Sequence, residues 1–507
     1  MTMRFLCCLL MATLGLAWSS ADVHAVGKNK KLNILYIMSD DHAPTAISCY
    51  GSWLKDAFKT PHLDKLAKEG MRFTNCVVVN SICTPSRGAI LTGQYSHKNG
   101  VYTLSDSIDT KIEHLAHFLQ RAGYQTALIG KWHLGTDPQG FDYWNMLVSK
   151  NGRPGQGVYY NPLMRAKGEK NKVHKGYSTD VIGGIAIDWM KNRDKNKPFF
   201  LMCHFKAPHR PWDPAPRYKD LFKGKKIPEP ETLLDDYKTR SKSAANAKLK
   251  VGESMNQRDV GVPIPKDLNS NELRRWAYQY YMKRYLACCK AVDDNVGRLT
   301  AYLEEAGLDD NTLVIYSSDQ GFFLGEHGYY DKRFMYEPCM LQPLIVRYPG
   351  HIQPNTVNND MVLNIDFAPT MLEYAGVDIP KSVQGKSIKP LLEGKTPPDW
   401  RKSMYYRYYM HLAHHWVPAH FGVRTNRYTL IRFYGLPHVT DGKKEIFMKG
   451  SVKKPTEPEW ELFDRQKDPE QVRNVYNDPE YADIVRELKA ELRRLKKQVG
   501  DPHGPDF

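Results

Sequence analysis

Short apolar runs alternate with longer amphipathic segments along most of the chain. Four runs predict buried strands, at 31–38, 126–129, 198–204 and 312–316. Three segments have helical spacing, at 60–70, 112–122 and 272–305. Strands that alternate with helices form a mostly parallel sheet with helices on both faces. The pattern therefore predicts an α/β fold, in which helices sandwich a large mixed, mostly parallel sheet.

The pattern changes after about residue 395. Short aromatic strands are predicted at 404–409 and 428–434, and a final helix has apolar residues at three/four spacing from Ile484 to Val499. We expect a large α/β domain over 26–395 and a smaller α+β C-terminal subdomain with an antiparallel sheet over 396–507. Residues 213–268 are rich in Lys, Pro and Asn without clear periodicity, which is typical of a surface insertion.

A polar cluster follows each of the four predicted strands. The clusters occupy 39–41, 130–133, 206–209 and 317–321. Ligands of open α/β sheets bind outside the carboxyl ends of the strands, so clusters far apart in sequence converge there. Solvated loop tips are the alternative. Four tips that carry acids or bases in one sheet favour a functional site.

The first residues have the organisation of a secretory signal. Arg4 precedes an apolar run at 5–16, and small residues follow, with cleavage expected after Ala21 or Ala25. The run is too short to span a bilayer. We therefore predict a signal peptide over 1–25 and an exported protein, periplasmic or extracellular, without a membrane anchor. An uncleaved interfacial anchor is the alternative.

Composition and charge limit the classes of partner. The 507 residues are 41% hydrophobic and 25% charged, as in ordinary globular proteins. The formal net charge of +16 attracts polyanions, although a solvated basic surface is the commoner explanation. Export favours a sulfated polysaccharide over nucleic acid, and no nucleic-acid-binding module is recognised.

The cysteine count draws attention to one thiol. Nine cysteines include Cys7 and Cys8 in the predicted signal peptide, so seven remain. An odd number in an exported protein suggests one unpaired, special thiol. Cys83 stands in the octet 81–88, with Pro85 two positions on and Arg87 four positions on. A helix that starts at Pro85 would place Cys83 at its positive end. The alternative is a buried cysteine that has only a structural role.

Two oxygen-bearing pairs stand at predicted strand ends. They are Asp40 with Asp41, and Asp319 with Gln320. Four such side chains suit a hard cation, and the high oxygen count favours Ca²⁺ over Mg²⁺. One such pair alone is more often a cap or a turn. Further cationic and proton-carrying candidates are Lys131, His133, His209 and Lys332.

Seven motifs resemble signatures of the type I sulfatases of the alkaline phosphatase superfamily. The motifs occur in the same order as in that family. They are Thr60-Pro-His-Leu-Asp64, 81–93, 130–135, 206–209, 318–321, 324–328 with Lys332, and 461–464 with 468–470. Together they cover most of 31–475. The resemblance implies an alkaline phosphatase-like fold and hydrolysis of sulfate esters. It also implies that a maturation enzyme oxidises Cys83 to Cα-formylglycine.

The resemblance assigns roles residue by residue. The implied Ca²⁺ ligands are Asp40, Asp41, Cys83, Asp319 and Gln320. Arg87 would stabilise the formylglycine hydrate, and Lys131 and Lys332 would hold sulfate oxygens. His209 would protonate the leaving alcohol, and His133 would take a proton as sulfate departs. Gln320 stands where the family commonly has Asn or His, so its longer stem changes the reach of this ligand.

The segments 319–328 and 331–337 look most like exo-acting glycan sulfatases, with N-acetylglucosamine-6-sulfatases nearest. Within 411–424, His415 and Arg424 are predicted to bind the sugar, and packing inside the subdomain is the alternative. The expected partner is a sulfated glycan. Two other functions remain open: a phosphate or phosphonate monoesterase of the same superfamily, and a non-catalytic glycan-binding protein should Cys83 stay unmodified.

Overall fold

A ten-stranded mixed sheet forms the centre of the protein, whose computed structural model describes residues 31–440 and 444–503. In spatial order the strands are Thr356–Asn358, Met71–Phe73, Leu344–Arg347, Thr312–Ser318, Asn33–Ser39, Phe199–His204, Gln125–Gly130, Tyr143–Leu147, Leu163–Ala166 and Lys172–Val173. The five strands from Thr312–Ser318 to Tyr143–Leu147 run parallel. This confirms the predicted large, mostly parallel sheet. The predicted signal peptide, 1–25, lies outside the described residues.

Alternate side chains of the central strand Asn33–Ser39 enter two different cores. Leu35 and Ile37 pack on one face, and Ile34 and Tyr36 pack on the other. The first face is covered by Ser178–Asn192 and Ser270–Glu305, and the second by Cys83–Thr92, Leu115–Arg121 and Phe367–Tyr374. A strand buried on both faces needs a continuous apolar sequence, which explains why this run shows no alternation.

The predicted helices are present, with ends shifted by a few residues. Besides Leu115–Arg121 and Ser270–Glu305, the predicted helices include Pro61–Lys68 and Ala482–Val499. The shorter helices are Ser96–Asn99, Lys242–Ala245, Gln257–Val260, Glu337–Met340, Lys389–Leu392 and Ala413–Trp416. The helix Cys83–Thr92 begins two residues before the predicted start, because Pro85 fits inside a first turn whose N–H groups lack intrahelical partners. Across the described residues, no helix has the length and apolar content to cross a membrane.

A four-stranded antiparallel sheet and the last helix form the C-terminal region, as predicted. Its strands are Ser403–Tyr408, His420–Thr425, Tyr428–Phe433 and Glu459–Asp464. Leu488, Leu492 and Leu495 of the last helix pack against this sheet. The same core includes Ile82 and Ala89, which lie beside and within the helix at Cys83. The C-terminal region thus supports the segment that carries Cys83.

Smaller elements complete the described structure. Two-stranded ladders join Cys76–Val77 with Val362–Leu363, Phe323–Leu324 with Tyr330–Asp331, and His438–Thr440 with Glu445–Phe447. The segment 213–268 contains only short helical elements, which include the 3₁₀ turns Pro216–Tyr218 and Glu231–Leu234. Its side chains Ile227, Leu249 and Val251 are fully buried.

All seven cysteines within the described ranges are free thiols. Six are buried and Cys49 is partly buried. Cysteine parity therefore does not single out Cys83, contrary to the expectation, because cysteine also serves as a small apolar side chain in protein cores. The role of Cys83 has to follow from its surroundings.

Candidate active site

The carboxyl ends of four neighbouring strands bring the polar clusters together. Asp319 and Asp40 directly follow adjacent strands, in which Ser318 is the register partner of Ser39. Lys131 follows the strand Gln125–Gly130, and its N–H donates to the carbonyl of His204 at 2.9 Å. The predicted convergence of the clusters therefore occurs at one edge of the sheet.

Three fully buried carboxylates meet at this edge. One oxygen each of Asp40, Asp41 and Asp319 lies within 4.8 Å of the others. Burial raises the pKa of Asp41 to about 8, although Lys332 opposes the rise. Burial and the nearby Asp40 raise the pKa of Asp319 to about 6. So much negative charge away from water requires positive charge beside it.

Three buried cations supply part of that charge. The Nζ of Lys332 lies 2.6 Å from both carboxylate oxygens of Asp41. Arg87 donates from Nε to Asp319 Oδ2 at 3.1 Å, and its Nη2 lies 3.6 Å from Asp40 Oδ1. Lys131 Nζ donates to Asp40 Oδ2. Burial alone would raise the pKa of Asp40, but the combined attraction of the surrounding cations, with Lys131 contributing most, outweighs it and holds that pKa well below its usual range.

The donor set fits a hard divalent cation. Gln320 donates from Nε2 to Asp41 Oδ1, while its buried Oε1 has no hydrogen-bond partner. An unsatisfied buried oxygen costs about 1–3 kcal/mol, which a metal–oxygen contact would remove. With the oxygens of Asp40, Asp41 and Asp319, this amide oxygen forms the all-oxygen environment that Ca²⁺ prefers.

Cys83 lies beside this cluster, at the start of a buried helix. Its Sγ is 3.6 Å from Asp40 Oδ1. The N-cap residue Ile82 has no capping side chain, so the N–H groups of the first turn and the positive end of the helix adjoin Cys83. Burial raises the pKa of the Cys83 thiol. The unmodified thiol is therefore neutral near pH 7 and a weak nucleophile.

Two histidines complete the centre. His133 Nδ1 lies 3.3 Å from Thr84 Oγ1, and His209 Nε2 lies 3.8 Å from Asp41 Oδ2. His209 Nδ1 is 2.6 Å from the carbonyl oxygen of Arg210, which only accepts, so Nδ1 carries the proton in the neutral ring. Nε2 is then the atom that exchanges protons with a ligand. Burial lowers the pKa of both histidines well below the usual range.

A cavity of about 830 Å³ opens onto Cys83. His209 and Lys332 line it from the main domain, Lys248 from the segment 213–268, and His415 from the C-terminal region. Ligand pockets span about 300–1,000 Å³, so this cavity has room for a sugar. Three separate parts of the chain therefore form one site.

Several cavity residues were not identified from the sequence, among them Arg210, Asp331 and Arg333. Asp331 and Arg333 flank Lys332 and have φ values of +74° and +110°, which are uncommon outside glycine. Asp331 Oδ2 lies 3.7 Å from Arg210 Nη1, and Arg333 Nη1 donates to the hydroxyl of Tyr408 at 3.1 Å. The available signal was adjacency in sequence, because Asp331 and Arg333 flank Lys332 and Arg210 follows His209.

The structure separates the two predicted sugar-binding residues. His415 lines the cavity, and its Nε2 lies 2.9 Å from Asp331 Oδ2. Arg424 does not line it: the residue is 3% exposed and donates from Nε and Nη2 to the two carboxylate oxygens of Glu337, each at 2.7 Å. The prediction for Arg424 is therefore corrected. A buried guanidinium requires a carboxylate partner, and this pair belongs to the subdomain packing.

Known proteins resemble this chain in sequence and in fold. The sulfatase family model matches residues 32–377. The model of the C-terminal region of N-sulphoglucosamine sulphohydrolase matches 325–442 and 453–498. The N-acetylglucosamine-6-O-sulfatase of Bacteroides thetaiotaomicron is 42% identical over 521 aligned positions, which cover 94% of this chain and 88% of that protein.

Two further comparisons agree. The human N-acetylglucosamine-6-sulfatase is 31% identical over 369 residues, which cover 68% of this chain and 62% of the human protein. The solved structure of BT4656 in complex with its substrate D-glucosamine-2-N,6-O-disulfate has a TM-score of 0.85 and 41% identity, over 93% of this chain and 99% of that one. Because the sulfatase family model matches 32–377 and the Bacteroides thetaiotaomicron sulfatase is 42% identical, the chain belongs to the sulfatase family and is a sulfuric ester hydrolase.

Proposed function

We propose that the protein removes the 6-O-sulfate from a sulfated glucosamine of a glycan, with Cys83 matured to Cα-formylglycine and with Ca²⁺ bound. The observation that carries the proposal is the placement of Cys83, 3.6 Å from Asp40 and open to the cavity of about 830 Å³. The relatives named as N-acetylglucosamine-6-sulfatases support this substrate. So does the glucosamine disulfate bound by the similar solved structure.

The residues of the site fit both a Ca²⁺ ion and a formylglycine at position 83. A Ca²⁺ ion would be held by Asp40, Asp41, Asp319 and the free Oε1 of Gln320, with residue 83 as a further ligand. Such an ion supplies a fixed positive charge beside the reacting oxygens. A hydrated aldehyde at position 83 supplies an oxygen nucleophile, which the neutral thiol lacks. The uncapped helix start favours negative charge at the same position.

Buried cations of the chain bind the sulfate group. Lys332 and Lys131 both reach the centre, where they contact the carboxylates of Asp41 and Asp40 respectively. Arg87 lies between Asp319 and Asp40 and holds the carboxylates in place. Because these ammonium and guanidinium groups are fixed before substrate arrives, they stabilise charge on the sulfuryl oxygens with little reorganisation.

The histidines move protons at defined atoms. His209 is oriented by the bond from Nδ1 to the Arg210 carbonyl, so Nε2 delivers a proton to the departing alcohol oxygen. A bound sulfate ester carries negative charge and raises the pKa of His209 toward the working range. His133, held beside Thr84, accepts a proton near residue 83. Acid–base assistance of this kind contributes about 10²–10⁴-fold to rate.

The sugar is oriented by the residues on either side of Lys332. Asp331 and Arg333 line the cavity and offer an acceptor and a donor for sugar hydroxyls. Burial would raise the pKa of Asp331, but Lys332 and His415 hold it well below its usual range, so this acceptor stays ionised. His415 positions Asp331 through its Nε2 contact.

Peptide mass spectrometry across residue 83, on protein made with a formylglycine-generating maturation enzyme, tests the proposal. We expect a peptide about 18 Da lighter than the cysteine form. The same protein should hydrolyse N-acetylglucosamine-6-sulfate, and an aryl sulfate faster than the matching aryl phosphate. Active protein that retains sulfur at residue 83 would overturn the mechanism. Faster phosphate turnover would favour a phosphate monoesterase.

A further inference from the structure

An exposed indole stands beside the cavity, outside the residues assigned to sulfate cleavage. Trp416 directly follows His414 and His415, which line the cavity. The residue is 41% exposed, and no other tryptophan in the described ranges has an exposed side chain. Large aromatic side chains are normally buried in cores or interfaces. An exposed indole next to a ligand cavity therefore suggests a contact with ligand.

The backbone that presents this indole is strained. Leu412, His414 and Trp416 have φ values of +53°, +60° and +57°. Each left-handed residue other than glycine costs about 1–2 kcal/mol. Strain of this kind persists only where the surroundings enforce it, and it clusters at ligand-binding segments. Here the Leu412 N–H donates to the carbonyl of Val417 at 2.9 Å, which closes the turn.

The turn is fastened to the cavity wall at two points. The Lys248 N–H donates to the carbonyl of His415 at 2.7 Å, and His415 Nδ1 donates to the carbonyl of Lys248 at 2.8 Å. His415 Nε2 also contacts Asp331, the neighbour of Lys332. The indole is thus held in a fixed place relative to the sulfate-binding lysine, as a subsite for a rigid ligand requires.

The ammonium group of Lys248 places a positive charge beside the indole. Its Nζ lies 4.1 Å from the centre of the Trp416 ring, and its side chain lines the cavity. The apolar face of a pyranose ring stacks on an indole, and an ammonium group pairs with a carboxylate or a sulfate. One sugar that carries an acidic group satisfies both contacts.

We infer that Trp416 and Lys248 form a second subsite, which holds the sugar next to the one that bears the sulfate ester. This neighbouring sugar carries a carboxylate or a sulfate. The inference rests on the proposed function, since it presumes a glycan substrate. It adds that the enzyme recognises at least two sugars of an acidic chain.

Kinetics on substrates of two lengths test the subsite. The short substrate is N-acetylglucosamine-6-sulfate, and the long one links this sugar to a hexuronic acid. In Trp416→Ala we expect kcat/KM on the long substrate to fall about tenfold, equivalent to 1.4 kcal/mol. The fall should arise mainly from KM, with no change on the short substrate. Trp416→Tyr, which keeps an aromatic ring, should restore most of the loss.

The control variant is Tyr280→Ala, which removes an exposed aromatic side chain from the helix Ser270–Glu305. It should leave both substrates unaffected. Lys248→Gln should weaken the binding of long substrates whose second sugar carries a carboxylate or a sulfate. It should not weaken the binding of a long substrate whose second sugar is a neutral hexose. Comparison of the two acidic forms identifies the preferred group. Equal losses on short and long substrates in Trp416→Ala would overturn the inference.

Binding separates this inference from the proposed function. Titration calorimetry of the long substrate with Cys83→Ala measures the subsite without turnover. We expect Trp416→Ala in that background to weaken binding about tenfold, equivalent to 1.4 kcal/mol. Unchanged binding would overturn the subsite even in an active sulfatase. Failure of the matured wild type to cleave any sulfate ester would overturn the proposed function, and the binding result would still decide the subsite.

Discussion

The ammonium of Lys332 lies 2.6 Å from both carboxylate oxygens of Asp41, although 291 positions separate the two residues. Asp41 is also a ligand in the proposed Ca²⁺ site. The same carboxylate would therefore serve both the lysine that we propose binds sulfate and the proposed Ca²⁺ ion. Since burial raises the pKa of Asp41 to about 8 even with Lys332 beside it, the lysine alone does not balance the charge.

Removal of divalent ions should lower both activity and stability. After dialysis against a chelator, we expect sulfate turnover to be lost and the thermal unfolding midpoint to fall. Ca²⁺ at about 100 times its Kd should restore about 2.7 kcal/mol of stability. Mg²⁺ should restore less. Scanning calorimetry and turnover assays measure both effects.

The variant that tests the metal prediction is Asp319→Asn, which removes one carboxylate charge and keeps the side-chain size. In this variant, the Ca²⁺-dependent rise in the unfolding midpoint should shrink. A wild-type midpoint that is insensitive to Ca²⁺ would contradict the site.

The proposed role of His209 as an acid predicts that the effect of its loss depends on the leaving group. In His209→Gln, kcat on N-acetylglucosamine-6-sulfate should fall about 10²–10⁴-fold, because the departing alcohol needs a proton. An aryl sulfate releases a stabilised phenolate, so kcat on this substrate should fall much less. Steady-state assays of both substrates measure the difference. His351→Gln, at an exposed surface histidine, is the control. Equal losses on the two substrates would argue against proton donation by His209.

The contact of His415 with Asp331 predicts a specific loss of sugar recognition. In His415→Asn, kcat/KM on the sugar sulfate should fall about 10- to 100-fold, since a misplaced binding group is costly. Turnover of a small aryl sulfate should be preserved, because Lys332 and Lys131 remain. Parallel assays measure both. Loss of aryl sulfate turnover to the same extent would instead place His415 in the sulfate chemistry.

Arg424 should matter for stability and not for sugar selectivity. Arg424→Met leaves Glu337 with only Arg465, whose Nη1 lies 3.2 Å from Glu337 Oε2. We expect unfolding free energy to fall by about 3 kcal/mol, as for other broken buried pairs. Urea denaturation measures it. The double variant Arg424→Met with Glu337→Gln should recover part of the loss. A change in the ratio of sugar to aryl turnover would revive a binding role for Arg424.

The same pair predicts acid sensitivity of folding. Burial would raise the pKa of Glu337, but Arg424 and Arg465 outweigh it and lower the pKa from 4.5 to about 2. A folded-state pKa below the unfolded value means that the stabilisation is complete above about pH 5 and is lost as pH falls toward 2. Its full size is about 3 kcal/mol.

Urea denaturation at several pH values tests this contribution. Between pH 5 and 3, wild-type stability should fall more steeply than that of the double variant Arg424→Met with Glu337→Gln, which lacks this titration. Identical pH slopes would show that Glu337 does not contribute.

The central strands were predictable because burial on both faces demands unbroken apolar sequence. The run 312–316 became the strand Thr312–Ser318, and 198–204 became Phe199–His204. The polar residues after such strands were then expected at one edge, and Asp40, Asp319 and Lys131 do meet there. The start of the helix at Cys83 was placed two residues late, since proline is tolerated throughout a first turn.

From the sequence alone came the sheet, the identity of the residues at its carboxyl edge, and the motif around Cys83. The sheet and the residues at its edge follow from local periodicity and from a topological rule for open α/β sheets. The motif around Cys83 stands out through its resemblance to sulfatase signatures. Only the tertiary structure paired Arg424 with Glu337, joined His415 to Asp331, and set Lys248 against Trp416. These contacts link loops and strands from distant parts of the chain. Loops carry no periodic signal, so their meeting is decided by how the whole chain packs.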